Sequence, residues 1–198
     1  MTAFALAVPL PASWAAAPAA VQVQIVDDRG MPVRDAVVEL TPNAGWRGGP
    51  IRFGWKPAMA QKNVAFVPGT LVVARGAAVA FPNLDSVRHS VYSFSKAARF
   101  EIDLYGRDQT RSQSFPIAGT VALGCNIHDH MRGYVRVVDT PFAGKTDQNG
   151  IVRLTGMAAG GYRLTVWHPR ARTPGGELKR PLAVGEGQGS HKIALKLR

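Results

Sequence analysis

The chain contains a single cysteine, Cys125, so no internal disulfide framework can form. Helix signals are almost missing. No unbroken apolar run approaches the roughly 18 residues of a membrane-spanning helix, so no membrane span is expected. Acidic residues are scarce as well: 13 Asp and Glu stand against 24 Lys and Arg, a formal charge of +11. The basic residues are scattered, with no run longer than Lys179-Arg180 and no aromatic interleaving, which argues against nucleic-acid binding. Such a surface steers acidic partner proteins or keeps the chain soluble.

What the chain does have is strand signal. It is 46% hydrophobic, ample for one large or two small cores and too apolar for a disordered chain. Alternating or β-branched runs fall at 21–26, 36–40, 63–67, 71–73, 77–81, 89–94, 100–104, 119–123, 133–138, 151–154, 162–167 and 192–197. Turn residues separate them, as in Asp28-Arg29-Gly30, Arg75-Gly76 and Gln148-Asn149-Gly150. Short strands with such breaks predict an all-β protein of antiparallel sandwiches, and a dozen strands are enough for two. One helical turn is expected at 95–98. The Gly/Pro-rich stretch 41–58, with Trp46 and Trp55, reads as a loop or crossing segment whose tryptophans pack over a seam. Residues 59–139 form a block with their own strand series, flanked by 21–58 and 140–198.

Residues 1–20 are apolar, rich in small residues and uncharged, with Ala-rich candidates for signal-peptidase cleavage between Ala15 and Ala20. This is the pattern of an export signal, although the usual positively charged start is absent and the start codon is expected upstream of Met1. Export of a Gram-negative type predicts a periplasmic mature chain beginning near Val21, in an oxidising compartment. A lone thiol there is a hazard unless something occupies it.

Cys125 lies in Gly124-Cys125-Asn126-Ile127-His128-Asp129-His130-Met131-Arg132-Gly133, between two expected strands. Thiolate, imidazole and thioether thus recur as Cys125-x-x-His128-x-x-Met131. Soft sulfur donors select copper, imidazole tolerates both of its oxidation states, and a His₂Cys set with a weak axial Met defines a blue-copper centre. The second histidine is supplied by His89, which opens a strand 36 residues before Cys125. Zinc is the nearest competitor, but it has no use for a thioether. Cys–His nucleophilic catalysis is a weaker one, since no oxyanion hole or activating cation is evident. His168 and His191 read as structural or solvated, and residues 146–150 as an Asn-Gly turn that lacks the acidic ligands of a calcium loop.

These residues carry a resemblance. The loop Cys125-x-x-His128-x-x-Met131 followed by Arg132-Gly133 is similar to that of amicyanin-type cupredoxins, and Phe66-Val67-Pro68 and Val79-Ala80-Phe81-Pro82-Asn83 resemble plastocyanin-like sequences. The flanks, Val21 to Val38 and Thr146 to Pro169, resemble two halves of a carboxypeptidase-regulatory-like β-sandwich. The combination is similar to bacterial methylamine-utilisation or plastocyanin-like proteins. The resemblance implies a Greek-key cupredoxin domain over 59–139 inserted in a second small sandwich built from 21–58 and 140–198. It implies one type 1 copper held by His89, Cys125 and His128, with Met131 axial, and a one-electron carrier rather than an enzyme. Implied partners are redox proteins such as an acidic donor or a c-type cytochrome. His128 would be the exposed edge of the site, with Ile127 and Pro82 on the docking rim, and His130 is expected at the surface. Ser90 stands where many cupredoxins have an Asn that ties the two ligand segments together. The alternatives are a module for copper storage, sensing or delivery, or an adhesion scaffold with a vestigial loop.

Overall fold

The computed structural model describes residues 19–198; the expected export signal falls almost entirely outside them. No helix among the described residues is long and apolar enough to cross a membrane.

The strands, in chain order, are β1 (Ala19–Val26), β2 (Val37–Pro42), β3 (Ala60–Gln61), β4 (Phe66–Val67), β5 (Thr70–Ala74), β6 (Ala78–Pro82), β7 (His89–Ser95) and β8 (Ala98–Tyr105). They continue with β9 (Thr110–Ser114), β10 (Gly119–Gly124), β11 (Arg132–Val138), β12 (Ala143–Lys145), β13 (Ile151–Met157), β14 (Gly160–Trp167), β15 (Glu177–Val184) and β16 (Gln188–Ala194). The expected turn of α-helix at 95–98 is not formed. Ser95 pairs with Ala98, so Lys96-Ala97 is instead the tight turn between β7 and β8. The one helical turn among the described residues is a 3₁₀ turn at Pro174–Gly176. Two pairings are parallel rather than antiparallel, β1 with β16 and β5 with β11.

Strand β1 shows why the chain folds this way. Ala19, Val21, Val23 and Ile25 are buried while Gln22 and Gln24 are only partly so, the two-residue period of a sheet with one covered face. That face meets Val38, Leu40, Leu164 and Val166 across a core between the sheets β13-β1-β16 and β12-β2-β14-β15. A second core joins the sheet β5-β11-β10-β7-β8 to the β6-β9 pair, through Leu71, Val91, Val121, Val135, Val79, Phe81 and Phe115. Residues 59–137 supply this second core, and the stretches on either side supply the first.

The alternation fails in β2, where Val37 to Leu40 are all buried, and in β11, where Val135 to Val138 are. The reason is that both strands are covered on both faces. Val38 and Leu40 enter the first core and Val135 and Val137 the second. Val37, Val138, Val72, Ala143 and Trp167 form a third cluster between the two sandwiches. At this joint Arg136 of β11 donates to Glu39 of β2, to Glu177 of β15 and, at 2.8 Å, to Thr120 Oγ1. Burial pushes the Glu39 carboxyl up against the pull of Arg136, while hydrogen bonds from Lys179 and Arg136 outweigh partial burial and hold Glu177 down. Trp46 packs edge-on to Phe142, and Trp55 stacks on Phe53 and donates to the Val72 carbonyl.

Breaking a buried pair costs more than the pair is worth, because a charge is stranded. Arg136→Met is therefore expected to lose about 3–5 kcal/mol in urea unfolding at neutral pH. Burial already raises the Glu39 carboxyl and Arg136 is what pulls it down, so in the variant it rises further; once it is protonated the stranded charge disappears, and the deficit shrinks in acid and grows as pH rises.

Candidate metal centre

Two chain segments build the site: the start of β7, which carries His89 and Ser90, and the loop between β10 and β11, which carries Cys125, His128 and Met131. Small residues bracket that loop because aromatic rings lie on its backbone. A Cβ on Gly124 would stand 2.5 Å from the Tyr92 ring, and one on Gly133 would stand 2.9 Å from Phe66. Inside the loop, Met131 N–H donates to the His128 carbonyl at 2.9 Å, and the Asn126 side chain donates to Glu101 at 2.8 Å.

Three donor atoms converge. His89 Nδ1 lies 3.2 Å from His128 Nδ1, and Cys125 Sγ lies 3.9 and 3.7 Å from the same two nitrogens. A three-ligand ion with bonds of about 2.0–2.1 Å to nitrogen and about 2.3 Å to sulfur would hold its ligand atoms about 3.5 Å (N···N) and about 3.8 Å (N···S) apart. The observed triangle fits that requirement. Among the described residues this is the one group of three His, Cys, Asp or Glu side chains so placed. Met131 joins it in a His-Cys-His-Met cluster and is buried in the same core as Cys125. The donor set of two imidazoles, a thiolate and a thioether is that of a type 1 copper centre.

Supporting residues fix these donors. His89 Nε2 lies 2.8 Å from Asp85 Oδ2, a contact that places the ring proton on Nε2 and leaves Nδ1 as a lone-pair donor. Asp85 also accepts the N–H groups of Asn63 at 2.6 Å and Val64 at 2.9 Å. Val64 has φ +53°, unusual for a β-branched residue, and this bond helps hold it there. Burial works against the Asp85 charge, but the Val64 N–H, the His89 ring and the Asn63 N–H together keep its carboxyl below the usual range. Asn83, wholly buried, organises the loop by donating to Val87 and Tyr105 carbonyls and accepting from Asp85 N–H.

Ser90 links the two ligand segments. Its hydroxyl accepts the Asn126 N–H at 2.9 Å and lies 3.7 Å from Cys125 Sγ, to which it donates. Exposure separates the ligands: His89, Cys125 and Met131 are buried, and His128 is half-buried at the edge. His130 is exposed, its ring centroid 6.2 Å from that of His128, and it is not in the donor triangle. His168 is a buried strand-end residue that accepts the Arg170 N–H; burial and the nearby Arg170 charge lower its pKa. The 146–150 segment is a turn in which Asp147 Oδ1 accepts the N–H groups of Asn149 and Ile151.

Sequence reasoning missed Asp85, although an acidic residue four positions before a ligating histidine is a visible cue for its hydrogen-bond partner.

Neither a protein-family model nor a curated protein matches the chain. Solved structures similar to part of it include a copper-containing nitrite reductase from Thermus scotoductus, 21% identical over 46% of this chain and 26% of that one, with a TM-score of 0.41. This chain thus matches about a quarter of that enzyme's length. A copper(I) amicyanin variant is 24% identical over 41% of this chain and 80% of that one, with a TM-score of 0.39. A purple cupredoxin from Nitrosopumilus maritimus is 19% identical over 41% and 98%, with a TM-score of 0.37.

Asp85→Asn removes the carboxylate that orients His89. Loss of such a partner typically costs 10–100-fold in metal affinity, and a competition titration with a copper chelator is expected to show a drop in that range.

Proposed function

We propose that this protein is an exported, periplasmic type 1 copper protein that carries single electrons between redox partners. The ligands are His89, Cys125 and His128, with Met131 axial. In this reading residues 59–139 are a cupredoxin module inserted in a carboxypeptidase-regulatory-like sandwich made of 21–58 and 140–198. The observation that carries it is the triangle of two Nδ1 atoms and one Sγ, matched to a three-ligand ion and sealed on all but one side.

Copper bound there would accept and release one electron by alternating between Cu(II) and Cu(I). The protein's part is to keep the ligands in place while it does so. His89 is clamped by Asp85, Cys125 by Ser90, and the loop by Asn126 and Glu101, so little has to move. With four donors supplied by the chain, no coordination place is left for a substrate. This favours a carrier over a catalyst, and the burial of three of the four ligands favours a carrier over a delivery module.

His128 is the port by which electrons would pass. Three exposed apolar side chains stand near the ligand segments, Ile127 on the copper loop and Leu84 and Val87 on the loop before His89, among polar ones that include Asn126, Asp129 and His130. Arg88 and Arg132 stand exposed beside the two ligand segments. An apolar centre with a basic margin suits a partner with a complementary acidic margin.

Two measurements test this. Purified protein given Cu(II) is expected to show an intense visible thiolate-to-copper band that is lost in Cys125→Ser; weak, colourless binding indifferent to Cys125 would contradict the proposal. Electron exchange with an acidic partner protein is expected to slow steeply between low salt and about 0.15 M, because the Debye length falls to about 8 Å. A rate indifferent to salt would refute the acidic partner.

A further inference from the structure

Gln61 on β3 is wholly buried, yet it belongs to no ligand set. Its Nε2 donates to the backbone carbonyl of Ser90 at 3.2 Å, and its own backbone carbonyl accepts the Leu84 N–H at 2.9 Å. Its side-chain Oε1 has no hydrogen-bond partner among the described residues. An unpaired buried amide oxygen is costly, so an apolar residue of similar size would be the more stable choice unless the amide has a task.

The task is visible in β7. Neighbouring residues of a regular strand point to opposite faces, yet His89 and Ser90 both reach Cys125 Sγ, with Nδ1 at 3.9 Å and Oγ at 3.7 Å. Their meeting at one sulfur coincides with an irregularity in the ladder. The ladder with β8 is irregular there: His89 pairs with Tyr105 and Val91 with Ile102, so Asp103 and Leu104 of β8 both stand opposite Ser90, a β-bulge whose extra residue belongs to β8. The peptide carbonyl opposite this bulge is the one that Gln61 holds.

We propose that Gln61 is a positioning residue: by holding the Ser90 carbonyl it keeps this stretch of β7, opposite the β8 bulge, in the position that puts the Ser90 hydroxyl on the Cys125 sulfur and under the Asn126 N–H. Through Ser90 it tunes the copper thiolate, a consequence that rests on the copper reading. The hold on Ser90 and Asn126 belongs to the metal-free chain too.

Gln61→Met keeps the length of the side chain and removes both the donor and the unpaired oxygen. In the metal-free protein, hydrogen exchange at the Asn126 amide is expected to accelerate about tenfold or more, while that of Leu164 in the other sandwich is unchanged. In the copper-loaded protein, the thiolate band and the midpoint potential are expected to shift in the direction given by Ser90→Ala. The double variant should then shift no further than Ser90→Ala alone, since both changes act on one contact. Unaltered Asn126 exchange, additive shifts, or a lower melting temperature with exchange and potential unmoved would each overturn the proposal. Should Gln61→Met fail to fold, Gln61→Asn, which pulls the amide back by one methylene, gives the same readouts. A wild-type protein without a thiolate band would sink the copper reading, and Asn126 exchange would still decide the role of Gln61.

Discussion

The site depends on one meeting: two segments 36 residues apart in sequence must converge on the sulfur of Cys125. The hydroxyl of Ser90 is where they join, accepting from the Asn126 backbone and facing the sulfur. An asparagine side chain at this point would have more reach. Serine is short, and it bridges the segments where the β7–β8 ladder carries a bulge, with two β8 residues opposite Ser90. The ring of His89 then faces the same sulfur, with its far nitrogen already committed to Asp85. Donor spacing and hydrogen bonding at the sulfur follow from this meeting, and the Asp85 contact sets the tautomer of His89.

The remainder of the molecule holds this arrangement in place. Strand β11 leaves the ligand loop and runs directly into the joint with the other sandwich, where Arg136 bridges Glu39 and Glu177 inside an apolar rim of Val37, Val138 and Trp167. The end of the copper loop is therefore anchored to both bodies. In the proposed carrier role, a site that holds one geometry for two charge states gains from such stiffness, because ligand movement would slow electron transfer. The second sandwich serves the centre at least as a brace.

Much of this was legible in the sequence, for reasons that can be stated residue by residue. Cys125, His128 and Met131 lie within seven residues and differ in chemistry from everything around them. A lone thiol in a chain with export-like residues demanded an occupant. His89 was found only because the three-residue set lacked one histidine. Strands with one covered face, such as β1, announced themselves by alternation. The polar edge strands β9 and β15 did not, since neither has a continuous buried face to impose a period, and Pro181 within β15 reads as a strand breaker although an edge tolerates it. The pair of alanines at 97–98 suggested helix where the chain makes a two-residue turn. Gln61 was illegible: its role exists only because folding brings it under a carbonyl 29 positions away, and no spacing rule encodes that.

In the proposed role the chain supplies a rigid two-nitrogen, one-sulfur triangle that serves both copper oxidation states. X-ray absorption at the copper edge tests it most directly, on oxidised and reduced protein in turn. Two nitrogen neighbours at about 2.0 Å and one short sulfur neighbour are expected in both states, with only slight lengthening on reduction. Loss of a nitrogen shell on reduction, or a first shell of nitrogen and oxygen without sulfur, would contradict it.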